Sequence, residues 1–388
     1  MSSVSAITPI RGLSVALLCL AFLGCASPGV IEEPRDLEDF DEAWEFNQVW
    51  STRVRGEGPN DRLGLRPAAD GDMVYIAGNN GRVEARRASD GRRVWRTELD
   101  APLSAGPTVF QGRLMVGSLD GDIYYLDASD GSVRWESHVR SEVLTPPALS
   151  RDVAVVRLAD GQVKGISLDD GSELWSREEE VPALILRGNT APVVRGGRAL
   201  VGFDNGALRA FRLRDGQAQW SEQVGVSAGR TEIEELADVA RWIDATNDLV
   251  FAGTAAGTTS AVAIDNGNRV WERELGSYSG LAVDQDLLYL TDEHSELHGL
   301  NQRDGSSVWQ NDDLRAREVT APAVVGETVV VGDLEGYLHA IDSDSGELVG
   351  RHRLRRVRIH TPPTVVDDRV VVQDSRGRVR AYRLDELD

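Results

Sequence analysis

Four stretches of the sequence place reactive or adhesive side chains at suggestive spacing. His294 and His298, in "HSELH", have the separation of a two-histidine metal site on a helix. In a strand hairpin they share a face but lie too far apart for one ion, so the reading favoured here is an ordinary polar turn. "RHRLRRVR", Arg351 to Arg358, alternates loosely as a strand and could meet anionic lipid or an acidic partner; a solvated edge is the favoured alternative. "VPALILRGN", Val181 to Asn189, follows the acidic run Glu178–Glu180 and sets Leu184, Ile185 and Leu186 beside Arg187 with no strand-like alternation. "TEIEELADVARW" has Thr231 three residues before Glu234, a capping-box pattern, with Ile233, Leu236 and Val239 at helical spacing, which predicts a short helix. No Ser/His/Asp set, paired carboxylates in a motif or vicinal cysteine pair supplies a catalytic centre, so no catalytic residue, metal or cofactor is expected.

The chain around these stretches has 388 residues, 41% of them hydrophobic, ample for a large core. Its formal net charge is −21 and its pI about 4.8, which disfavours nucleic acid, because a polyanion requires clustered cations. Lys164 is the only lysine; the remaining cations are arginines.

The N-terminus carries an address. Arg11 precedes the apolar run Leu13–Gly24, too short for a permanent span and suited to a signal peptide over residues 1–24. It ends in "FLGCAS", which resembles a bacterial lipoprotein box, in which Cys25 is diacylated and becomes the new N-terminus. Ordinary signal cleavage near Ala26 is the alternative. Ala26 after the cysteine implies sorting to the outer membrane, and Cys19 leaves with the signal. Residues 25–43 then read as the lipidated cysteine and a flexible acidic tether.

From residue 44 to 388 the sequence repeats. The clearest copy, Pro107 to Val139, alternates short apolar runs with "QG", "DG" and "DG" turns, giving four antiparallel strands. The second-turn glycine recurs at 81, 121, 161, 206, 257, 336 and 377, with Ser295 standing in for one, which makes eight units. Six units place Trp four residues after the third-turn glycine: Trp95, Trp135, Trp175, Trp220, Trp271 and Trp309. The seventh has Gly350 instead, the eighth ends without a fourth strand, and Trp50 near the start lies on an unattached one. These features predict an all-β fold, an eight-bladed β-propeller of four-stranded antiparallel blades, closed by an N-terminal strand joining the last blade. The tryptophans are expected to wedge between blades, burying about 200 Å² each.

With that register, two connections stand out. Trp95 to Pro107 spans twelve residues, but Trp175 to Pro192 spans seventeen and Trp220 to Ile243 twenty-three. Both long connections flank one blade and emerge on one face, a candidate binding surface. Spacing alone leaves interaction surface and local packing both open. Trp50 to Pro67 is also seventeen residues but reads as a closure segment.

The lipoprotein box, the quinoprotein-type repeats ("LDASDGSVRW"), "LILRGNTAPVV" and "TEIEELADV" together resemble the BamB family, lipoproteins of the β-barrel assembly machinery in Gram-negative outer membranes. The resemblance implies a periplasm-facing scaffold, lipid-anchored through Cys25, that binds the POTRA region of BamA and assists insertion of outer-membrane proteins, with unfolded clients as further partners. It carries the BamA contacts onto Leu184, Leu186, Arg187 and Asp238. The family pattern Asp-Val-Asp reads Asp238-Val239-Ala240 here, so the second acid is missing or displaced to Glu234, Glu235 or Asp244. The rivals are a quinone-dependent dehydrogenase built on the same repeat and a generic periplasmic propeller adaptor.

Overall fold

Gly-punctuated apolar runs become strands throughout. The computed structural model describes residues 32–54, 63–179, 190–225, 239, 243–254, 257–277, 279–284 and 286–387, and among these every regular element is a β-strand. The strands form eight sheets. Blade 1 is Ala68–Asp70, Met73–Ala77, Arg82–Arg87 and Arg93–Glu98, in that antiparallel order from the channel outward. Blades 2 to 7 repeat the order; blade 4 is Val193–Arg195, Arg198–Gly202, Ala207–Arg212 and Ala218–Gln223. Blade 8 takes three strands from the C-terminus, ending in Arg378–Glu386, and its outermost strand, Trp44–Arg53, from the N-terminus. First strands of successive blades touch in an unbroken cycle, including Thr364–Val366 of blade 8 against Ala68–Asp70 of blade 1, so the ring is closed as expected.

Burial follows from stacking. Second strands face a neighbour on both sides, so Val153–Arg157 and Thr328–Gly332 are buried along their whole length and read as near-continuous apolar runs. Fourth strands are edges, and residues such as Val94 and Val308 lie open to water. A register shift beside the tryptophan, as at Gly165/Ile166 in blade 3, bends these edges away from flat pairing.

Seven tryptophans, Trp50 included, bridge seven of the eight junctions between blades, all but that from blade 7 to blade 8. Trp95 Nε1 donates to the Ala128 carbonyl at 2.8 Å, and its ring lies on Gly131, where a Cβ would sit 2.4 Å from the indole. Gly131 also holds φ at 75°, so the third-turn glycine is both turn residue and platform. This explains the degenerate seventh repeat. Blade 8 has chain ends where its third turn would be, so a tryptophan from blade 7 would find no platform. Gly350 lets the closing strand pass instead: a Cβ there would lie 2.6 Å from the Trp44 carbonyl oxygen. Ala43 N donates to Val349 O, and Leu387 N to Ala43 O, both at 2.8 Å.

The segment expected as tether departs from that expectation over its second half. Pro34 onward belongs to the same compact unit as the ring. Arg35 N donates to Arg315 O at 3.0 Å, Leu37 packs under blades 6 and 7, and the Arg351 guanidinium lies 4.8 Å from the centre of Phe40. Leu37 and Phe40 give an acidic stretch enough apolar contact to dock, and Arg351 of blade 7 donates to the Glu38 carbonyl at 3.0 Å. It forms a strap down the outer edge of blade 7.

In this topology, connections between blades and the turns between second and third strands share one face, called here the connection face. The closure segment also enters the channel from that face. Gly64–Leu65 adds a parallel strand to the channel side of Leu103–Phe110, and Leu65 is fully buried. Ala191 and Ala321 meet across the channel, and a chamber of about 360 Å³ remains, lined in part by Arg66, Pro192, Asp244, Pro322 and Pro363.

Candidate functional site

The two long connections are rooted in the same few residues of blade 4. In four of the eight blades the second strand carries a glycine at or next to its end, and the connection returns a side chain over it: Val143 over Gly117, Ser277 over Gly253, Ile359 over Gly332. Val239 does this for blade 4. A Cβ on Gly202 would lie 2.6 Å from Val239 Cγ1 and 3.0 Å from Thr190 Oγ1. Val239 is fully buried, donates its N–H to Phe203 O at 3.3 Å, and forms an antiparallel bridge with Thr254 of blade 5. The helix expected over 231–239 is therefore not continued at its last residue, which is extended; β-branched valine suits that bridge. Residues 226–238 lie outside the described residues.

Thr190 is where the first connection rejoins the ring, and its Oγ1 donates to the Val239 carbonyl at 3.0 Å. The other end of that connection, Glu179, pairs with Arg209 of blade 4 at 2.5 Å. The connections thus leave the same face side by side, as their lengths led one to expect. Leu184, Leu186, Arg187 and Asp238, like Cys25, lie outside the described residues, as do Glu234 and Glu235. Asp244 is described and is occupied elsewhere. Its carboxylate accepts from Ala245 N at 2.8 Å and Val283 N at 3.2 Å on the channel wall, and burial pushes its pKa up. It is no substitute for the missing second acid.

Sequence reasoning missed a buried ion pair at this root. Arg157 stands where blades 2, 4, 5 and 7 have their second-strand glycine, and its side chain is fully buried. Its Nη2 donates to Asp204 Oδ2 at 2.7 Å, tying blade 3 to the second turn of blade 4, and its guanidinium lies 5.5 Å from the centre of the Phe203 ring. Among the described residues, Nε and Nη1 of Arg157 and Oδ1 of Asp204 have no hydrogen-bond partner. An arginine at a position that is small or uncharged in every other blade was the signal available in the sequence.

The "HSELH" stretch is a turn, with Ser295 at φ 67° in the place of the usual glycine. Donor atoms of Asp292, Glu296 and His298 come within 4.8 Å of one another, but each already has a protein partner. Asp292 accepts from His294 N and Glu296 N at 2.9 Å and contacts His298 Nε2 at 3.0 Å; Glu296 pairs with Arg315 and accepts from Gln310 at 2.6 Å. Burial opposes the Asp292 charge, but these hydrogen bonds outweigh it and hold the carboxyl below its ordinary range. His294 points to solvent beside Glu293. Blades 7 and 8 repeat the arrangement with Asp333–His339 and Asp374–Arg380, which marks it as a structural turn motif.

Comparison with known proteins agrees with this architecture. A family model described as outer membrane protein assembly factor BamB matches residues 79–311 and 294–388. The outer membrane protein assembly factor BamB of Pseudomonas aeruginosa is 45% identical over 322 residues, covering 82% of this chain and 84% of that protein. The crystal structure of BamB from Moraxella catarrhalis superposes with a TM-score of 0.79 at 23% identity, over 87% of this chain and 99% of that one. A quinohemoprotein alcohol dehydrogenase from Pseudomonas putida shares the fold, with a TM-score of 0.67 at 12% identity over 88% of this chain and 77% of that one.

Proposed function

The chain belongs to the BamB family of outer membrane protein assembly factors, and we propose that it is a non-catalytic lipoprotein scaffold of the β-barrel assembly machinery. In this reading it binds the POTRA region of BamA through the paired connections flanking blade 4, and acyl chains on Cys25 hold it at the periplasmic side of the outer membrane. The observation that carries the reading is the shared root: Thr190, Gly202 and Val239 bring two long connections out of the ring at one point.

Leu184 and Leu186 would supply a small desolvated anchor, and Arg187 a charge-assisted contact beside it. Truncating such an anchor typically costs about 2 kcal/mol or more of binding. Asp238 adds one acidic contact. The channel supports a non-catalytic reading: its mouth on the connection face is taken by Gly64–Leu65, and Ala191 meets Ala321 across it. The deciding experiment is co-purification of BamA with the Leu184→Ala, Arg187→Ala double variant. Loss of BamA with an unchanged melting temperature supports the site; undiminished capture removes it.

A further inference from the structure

The strap leaves the ring at blade 7. The upper ends of blades 7 and 8 carry an island of arginines outside the ion pairs among the described residues; one of them, Arg353, also lies over the Tyr337 ring, 4.8 Å from its centre. Arg35, where the strap begins, sits against Arg315 on the connection face, and the chain descends to Ala43 at the opposite face. At the upper end of blades 7 and 8, Arg353, Arg355, Arg356 and Arg376 are exposed. The bridge between Ile359 and Asp374 brings the turn carrying Arg376 against the connection carrying Arg355 and Arg356. Arg53 and Arg378 are direct cross-strand partners, a pairing of like charges that weakens a sheet.

None of these six arginines makes an ion pair among the described residues, although carboxylates outnumber cations 63 to 42 in the whole chain. The acids that border them are committed: Asp374 to Arg380 at 3.0 Å, Glu318 to Arg358 at 2.6 Å and Glu335 to Arg317 at 2.6 Å. Of the strap's described carboxylates, Asp36 to Glu42 run toward the opposite face, while Glu32 and Glu33 precede Arg35 at the upper end. A crescent of arginines outside the ion pairs among the described residues, in a protein of net charge −21, is suited to an external anion.

We propose that this crescent is a membrane-facing surface that engages the anionic headgroups of the bilayer to which the chain is anchored. The proposal rests on the reading that Cys25 is acylated. Nine peptide units then separate the lipid from Pro34, a reach of at most about 30 Å when fully extended. The tether therefore keeps the crescent close to the surface, where a Debye length of about 8 Å makes proximity decisive. One lipidated residue and a polybasic patch together give a more stable attachment than either alone. The net negative charge repels the rest of the molecule from the same surface, so the crescent also sets orientation.

The test uses the full mature chain with Cys25→Ser, so that vesicle capture reports on the arginines alone. Vesicles of phosphatidylglycerol in phosphatidylethanolamine should bind it at low salt and release it at high salt, while vesicles without phosphatidylglycerol should not bind it. Arg355→Glu with Arg356→Glu should weaken binding by at least about tenfold, and the Arg355→Gln, Arg356→Gln pair by less, with melting temperatures unchanged. Equal binding to neutral vesicles, or full binding by the charge-reversed variant, overturns the proposal. So does loss of BamA co-purification with vesicle binding intact, which would make the crescent a protein interface. Failure of the scaffold reading is separate, because it shows in the Leu184 and Arg187 variant.

Discussion

Thr190 Oγ1 donates a 3.0 Å hydrogen bond to the main-chain carbonyl of Val239, across the closed end of blade 4. The two residues are 49 apart in sequence and belong to different inter-blade connections. Their contact makes the two connections one unit at the base, over a glycine that leaves them room. Geometry at that base controls what the connections can present to a partner.

Gly202 is the position most sensitive to that geometry. Adding a Cβ would force Val239 and Thr190 apart, since its place is 2.6 Å from Val239 Cγ1. Gly202→Ala is expected to cost about 1–3 kcal/mol as an overpacking change, read by urea unfolding. It should also weaken BamA capture, although no proposed contact residue is altered. Full capture by a destabilised variant would show that the connections act independently of their root.

The Arg157–Asp204 pair gives a second, energetic handle. Both side chains are almost wholly buried, so removing one leaves an uncompensated charge. Asp204→Ala is expected to destabilise by about 3–5 kcal/mol. Arg157→Met with Asp204→Leu should recover most of that loss, because three polar atoms of the native pair already lack a hydrogen-bond partner among the described residues. A double-mutant cycle by chemical denaturation measures the difference; equal losses in the single and double variants would count against this account.

Much of this architecture is readable in the residues, for a physical reason. Turn glycines and the wedge tryptophans act over short, repeated distances, so their spacing carries blade number, ring closure and the position of the long connections. Even the failed repeat at Gly350 has a sequence correlate, the free strand around Trp50. Docking of residues 34–43 was not readable, because Leu37 and Phe40 lie in an acidic stretch that looks solvated until blade 7 supplies Arg351. Arg157 was hidden similarly: its partner, Asp204, is 47 residues away and belongs to the next blade. For the site, spacing located the roots, whereas Leu184, Leu186, Arg187 and Asp238 came from resemblance and lie outside the described residues.

His339 makes stability depend on pH. It is fully buried, with Nε2 3.2 Å from Asp333 Oδ2 and Nδ1 without a hydrogen-bond partner among the described residues. Burial lowers its pKa below the ordinary 6.5, and the nearby Arg351 and Arg317 add to this against the pull of Asp333. The folded state therefore favours the neutral ring. That stability is complete above pH 6.5 and is lost as pH falls from there toward the folded-state value. Burial opposes the charge of Asp333, but His339, the Tyr337 amide and Arg317 hold its pKa below 3.8, so a second loss follows at lower pH. Unfolding free energy should fall between pH 7 and 5, and His339→Gln should reduce that slope, leaving the share of His352, whose pKa burial also lowers, and the more acidic decline. An unchanged slope in the variant would assign the effect to another group.

Ring closure is the last point at which one residue decides the packing. The closing strand Trp44–Arg53 pairs with Arg378–Glu386 along its length, and its first residue passes over Gly350. Gly350 has no positive φ, so alanine fits its backbone and the only obstacle is the Trp44 carbonyl, 2.6 Å from the new Cβ. Neither backbone can yield cheaply, because Ala43 N is bonded to Val349 O and Ala43 O to Leu387 N. Gly350→Ala is thus expected to cost about 1–3 kcal/mol and to loosen the strap and closing strand before the rest of the ring. Limited proteolysis should then cut first between residues 34 and 54, with blades 2 to 6 still protected. A variant that keeps the native cleavage pattern and melting temperature would show that the closing strand can shift over Gly350 without penalty.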